Sequence, residues 1–79
     1  AAPKSQKKVK SEELSDLMPK AKAIRNFEPA SSLEMRVQTG DMIILLSHEA
    51  KNMYMGENVT TGEFGNFPAN CVEVIVPLP

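Results

Sequence analysis

His48 and Cys71 are the single histidine and single cysteine of this 79-residue chain, and they are its best candidates for nucleophilic or metal chemistry. A thiolate nucleophile needs a base held beside it, and a structural zinc site needs four nitrogen or sulfur ligands. His48 lies in a polar stretch from Ser47 to Asn52 and Cys71 in a closing turn, so the pair offers neither a dyad nor a ligand set. No phosphate-binding glycine loop or dinucleotide fingerprint is present. The expectation is therefore no enzyme activity, no metal and no cofactor, with Cys71 serving as a small apolar filler.

Nine basic and ten acidic residues leave a net charge of -1, which argues against phosphate-backbone binding and hence against nucleic acid as the partner. One cysteine forms no internal disulfide, and no apolar run is long enough to span a bilayer. These features predict an intracellular, soluble chain. Asn58-Val59-Thr60 matches a glycosylation sequon, but without a secretory context the match is of the kind chance spacing produces. With 42% hydrophobic residues the chain can bury one small core, so one domain is the ceiling. The absent initial methionine and the ending Val76-Pro77-Leu78-Pro79 read as a fragment of a longer protein.

Residues 1–10 carry Lys4, Lys7, Lys8 and Lys10, with Val9 as their one large apolar side chain. They read as a flexible basic linker, either merely solvated or a weak anchor to acidic lipid or a partner. Residues 11–19 read as a short helix: Ser11 is a plausible N-cap, Glu12 and Glu13 complement the dipole, Leu14, Leu17 and Met18 share a face, and Pro19 ends it. Two turns are marginal alone, so this helix persists only by packing on the domain or on a neighbour.

From Ala21 the signals are those of short strands. Ala21, Ala23 and Phe27 alternate with polar neighbours, as do Met35 and Val37 with Glu34, Arg36 and Gln38, which predicts half-buried strands. Thr39-Gly40-Asp41 signals a turn, Met42 to Leu46 a more deeply buried strand, and Ser47 to Asn52 a loop. Met53 to Val59 and Glu63 to Phe67 read as a hairpin about Thr60-Thr61-Gly62. Gly62 to Val72 reads as a tight corner that leads into one short closing strand. The fold class is all-β: five short strands in a small antiparallel barrel.

Four motifs in register resemble an SH3 domain from Ala21 to about Val76. Ala23-Ile24-Arg25-Asn26-Phe27 stands where that family has A-L-Y-D-Y, and Glu34 to Asp41 stands at E-L-S-F-x-x-G-D. Met53-Tyr54-Met55-Gly56-Glu57 meets W-W-x-G-E, and Gly65 to Val72 meets G-x-F-P-x-N-Y-V. The resemblance implies a domain at 20–76, with 77–79 opening the next linker, and a core of Ala21, Ala23, Met35, Val37, Ile43, Leu45, Phe67 and Val72. It makes Gly40 the glycine of a diverging turn and Gly56 a point of close approach. A monomer is implied for the isolated domain.

In that family flat aromatic rings form slots for the X-Pro pairs of a polyproline helix. Position by position, the resemblance places Arg25 at the first groove tyrosine, Phe27 at the second ring, Met53 at the central tryptophan and Cys71 at the last tyrosine. Asn66 stands where many members have another aromatic, while Phe27, Pro68, Asn70 and the acid Glu34 remain. A hot-spot tryptophan is worth at least about 2 kcal/mol, and about 1.4 kcal/mol is tenfold in affinity, so losing it with two tyrosines weakens a micromolar peptide complex to millimolar. Arg25 is expected to pair with Glu34 or Glu28 and close the groove.

Two functions stay open. One is a non-catalytic interaction module that packs against neighbouring domains of its own chain or binds a partner lacking a proline-rich motif. The other is a relaxed receptor for proline-rich peptides using Phe27, Glu34, Met53 and Pro68. The retained residues also have a plain account, since Phe27 and Pro68 suit a barrel corner, Glu34 a solvated loop and Tyr54 a strand face. Gly40 to Leu45 and Phe67 to Val74, with the proline-bearing tail, are also similar to SH3 domains in unconventional myosin tails. The implied location is cytoplasmic, with the cytoskeleton as a candidate site.

Overall fold

A computed structural model describes residues 18–79. The expected basic linker at 1–10 and nearly all of the expected helix at 11–19 lie outside the described residues. Five strands form one antiparallel sheet in the order β4-β3-β2-β1-β5, with β1 at Lys20–Ala23, β2 at Met42–Ala50, β3 at Met53–Asn58, β4 at Glu63–Pro68 and β5 at Val72–Val76. A single 3-10 turn, Ala69–Cys71, joins β4 to β5. This is the all-β, five-stranded arrangement expected from the sequence.

Strand period explains the core. Ala21 and Ala23 are buried on β1 while Lys22 is exposed, and Ile43 and Leu45 alternate with the half-buried Met42 and Ile44 on β2, the period of two that puts successive side chains on opposite faces. All eight expected core residues are buried, and Cys71 joins them. Phe67 is their largest member, fully buried on β4. Gly56 lies beneath it. A Cβ there would meet the Ile44 carbonyl at 2.5 Å and the Phe67 ring at 3.1 Å, so the two backbones approach closely only because the side chain is absent.

Two expectations of strand and loop need correction. Residues 34–38 are not a strand of the sheet: Phe27 and Val37 form one isolated antiparallel bridge, and Glu34 and Asn66 one isolated parallel bridge. The Met35 N–H donates to the Asn66 carbonyl at 3.1 Å, while the Val37 N–H donates to the Phe27 carbonyl at 3.0 Å. The segment thus bonds to a different neighbour at each step, which preserves the in–out alternation without building a ladder. Ser47 to Asn52 is not all loop. β2 runs on to Ala50, pairing Ser47 with Met55, His48 with Tyr54 and Ala50 with Met53 through two register shifts, and Lys51-Asn52 alone makes the turn. The stretch is polar because this arm is largely solvent-exposed.

The long excursion between β1 and β2 is closed at its base. Gly40 adopts φ +96°, open to glycine at no steric cost, and its N–H donates to the Ala23 carbonyl at 2.9 Å. Asn58, fully buried on β3, donates its side-chain Nδ2 to Asp41 Oδ2 at 2.8 Å, and Asn58 Oδ1 accepts from the Thr60 and Thr61 N–H groups. Asp41 Oδ2 also accepts from the Gln38 N–H at 2.9 Å. One buried amide therefore ties the turn before β2 to the β3–β4 hairpin.

Candidate peptide-binding groove

The expected groove residues fall into two neighbouring groups. At one end, the N–H groups of Ile24 and Arg25 both donate to the Cys71 carbonyl, at 2.8 and 3.2 Å. This sets the exposed Arg25 and Asn70 beside the buried Cys71. At the other, Met53 pairs with Pro68 and Met55 with Asn66 across β3 and β4, and Glu34 bridges to Asn66. Met53, Glu34, Asn66 and Pro68 are all half-buried. Phe27, also half-buried, packs on the core. A shallow depression lined by Asn52, Pro68, Ala69 and Asn70 lies along the 3-10 turn, and its wall is held by the Ala69 N–H donating to the Asn52 carbonyl at 2.8 Å.

The expected closing of the groove by Arg25 is corrected by its surroundings. Glu28 binds Arg36 instead, Oε1 accepting from Nε at 3.0 Å and Nη2 at 2.8 Å, and this contact raises the Arg36 pKa. Glu34 turns back on its own loop, where Oε1 accepts from the Ala30 N–H at 2.6 Å. Arg25 makes no ion pair among the described residues. Glu34 is held by a backbone N–H four residues away, and Glu28 by two N–H groups of the Arg36 guanidinium eight residues away.

Burial pushes the Cys71 thiol above its ordinary pKa, opposed in part by the nearby Arg25 charge. The thiol donates to Asn70 Oδ1 at a long 3.7 Å. It stands as an apolar filler, where a tyrosine would present a hydroxyl to a ligand. Sequence reasoning missed a second feature, an aromatic cluster at the β2–β3 turn. His48 meets Tyr54 edge-on at a centroid distance of 4.4 Å, and Tyr54 leans on Phe67 at 5.9 Å. Its signal was the pairing of His48 with Tyr54, hidden while the segment was read as a loop. No group of three or more His, Cys, Asp or Glu side chains is placed to hold a metal ion among the described residues. No helix among them is long and apolar enough to cross a membrane.

Known proteins agree with this architecture. The family described as variant SH3 domain matches residues 20–75. Rat Endophilin-A3 is 38% identical over 77 residues, covering 98% of this chain and 22% of that protein. The human E3 ubiquitin-protein ligase SH3RF2 is 42% identical over 64 residues, covering 81% of this chain and 8% of that protein. The chain thus spans less than a quarter of the length of either relative. Among solved structures, the C-terminal SH3 domain of myosin IB from Entamoeba histolytica, bound to an EhFP10(GEF) peptide, superposes with a TM-score of 0.68 at 27% identity, covering 80% of this chain and 91% of that one. The SH3 domain of yeast NBP2 gives 0.67 at 26% identity, covering 72% and 97%. With the strand order, the buried core and the matched motifs all in agreement, the chain belongs to the SH3 family, whose members are non-catalytic protein–protein interaction modules.

Proposed function

We propose that this SH3 domain docks against a neighbouring domain of its own chain or a partner that lacks a proline-rich motif. The observation that carries this reading is the makeup of the groove: Phe27 is the one aromatic among its eight positions, and a slot for an X-Pro pair needs two facing rings. Cys71 is buried and Arg25 carries a charge where flat rings are required. Met53 supplies adaptable apolar contact but no ring hydrogen-bond donor. Amide-resonance titration with a proline-rich peptide library tests it. No saturable shift at Phe27, Glu34, Met53 or Ala69 up to millimolar peptide is the expected outcome, and saturation in the micromolar range would overturn it.

The second reading, a relaxed receptor for proline-rich peptides, draws support from Phe27, Met53 and Pro68, which remain half-exposed along the cleft. It also draws on the family habit of binding such peptides and on the similar myosin IB domain with its bound peptide. The same titration decides between the two.

A further inference from the structure

The charges of the domain are unevenly committed. Three acids are engaged locally: Glu28 with Arg36, Glu34 with the Ala30 N–H, and Glu49, whose Oε2 accepts from Ser47 Oγ at 2.6 Å. Glu73 stands opposite Lys22 in the β1–β5 register. The cations differ. Arg25, beside Cys71 at one end, and Lys51, in the turn next to Asn52 at the other, are both exposed and make no ion pair among the described residues. Between them lie Pro68, Ala69 and Asn70, with Met53 paired to Pro68.

We propose that this surface takes an acidic, apolar peptide segment, with one carboxylate against Arg25, a second toward Lys51 and an aliphatic side chain over Met53 and Pro68. The proposal rests on the reading that the groove does not serve proline-rich ligands, and it names the chemistry of the partner. Charge complementarity is the argument. An arginine-bearing ligand would meet Arg25 repelling it, whereas a carboxylate meets two exposed cations that make no ion pair among the described residues. The Ile24 and Arg25 N–H groups, both donating to the Cys71 carbonyl, hold this end of the excursion next to Asn70, which lines the depression.

The test uses the 79-residue chain and three labelled synthetic dodecapeptides: one with Asp and Glu flanking Leu and Val, the same peptide with lysines for its acids, and a proline-rich peptide bearing arginine. The acidic peptide is expected to give saturable amide shifts at Arg25, Asn52, Ala69 and Asn70, and to bind about tenfold more tightly than its lysine counterpart. Arg25→Gln is expected to weaken it about threefold, as is Lys51→Gln, the size of an exposed ion pair. Both side chains are exposed, and an unchanged amide spectrum checks that each variant is folded. Equal binding of the lysine counterpart, indifference to both substitutions, or silence of the acidic peptide up to millimolar would overturn the proposal. The last outcome leaves the docking reading standing, whereas micromolar binding of the proline-rich peptide would remove that reading itself.

Discussion

Cys71 shows how one substitution changes the character of a site. A tyrosine at this corner would place a hydroxyl on the surface, while the thiol is drawn into the core beside Val72. Its raised pKa has a defined sign: the neutral form suits the fold, so the contribution is full below the ordinary thiol value of 9.0 and is lost as pH rises through the higher folded value. At neutral pH the folded chain should therefore react with a disulfide reagent far more slowly than the urea-unfolded chain. Arg25→Gln should slow it further by removing the cation that favours thiolate, and equal rates for folded and unfolded chain would contradict this burial. Asn58 makes a similar point. Its sequon is legible in the sequence, yet the acceptor nitrogen is buried and donates to Asp41, so the folded domain presents no glycosylation site there.

Among the elements, the excursion between β1 and β2 depends on few ladder bonds and many single ones. Its ends are held by the Phe27–Val37 bridge, the Thr39 N–H on Asn26 Oδ1 and the Asp41–Asn58 pair. Replacing Asn58 by Ala removes one of the two donors to Asp41 Oδ2, leaving the Gln38 N–H, and takes away the acceptor of the Thr60 and Thr61 N–H groups. A buried unsatisfied group costs about 1–3 kcal/mol, so Asn58→Ala should lower stability by about 2 kcal/mol, read as a lower urea midpoint. An unchanged midpoint would show that the pair does not hold the two turns together. The alternation of Met35 and Val37 is legible in the sequence, but whether they form a strand depends on which carbonyls their N–H groups meet. Those carbonyls belong to Asn66 and Phe27, one of them 31 positions away in the sequence.

At the scale of the whole molecule, stability comes from one small core centred on Phe67, which touches the side that Gly56 leaves open and carries Tyr54 on its flank. Domains of this size are stable by roughly 0.05–0.15 kcal/mol per residue, whereas truncating a buried Phe costs about 3–5 kcal/mol. Phe67→Ala should therefore be largely unfolded at 37 °C by circular dichroism. A well-folded variant would mean that the core has a second centre.

The sequence by itself carried the family, the all-β class and, through the resemblance, the eight core positions, because a period of two and turn residues at fixed offsets are local properties of the chain; it misplaced residues 34–38 as a strand and ended β2 too early. The resemblance also implied that Arg25, Met53 and Cys71 stand at the places of flat rings. Only the tertiary structure decided the partners of the charges: that Glu28 goes to Arg36, that Glu34 folds onto Ala30, and that Arg25 and Lys51 make no ion pair among the described residues. Ion pairs form wherever side chains converge, and convergence is set by how the excursion, the β2–β3 turn and the 3-10 corner fold toward one another, which the spacing of residues along the chain does not encode.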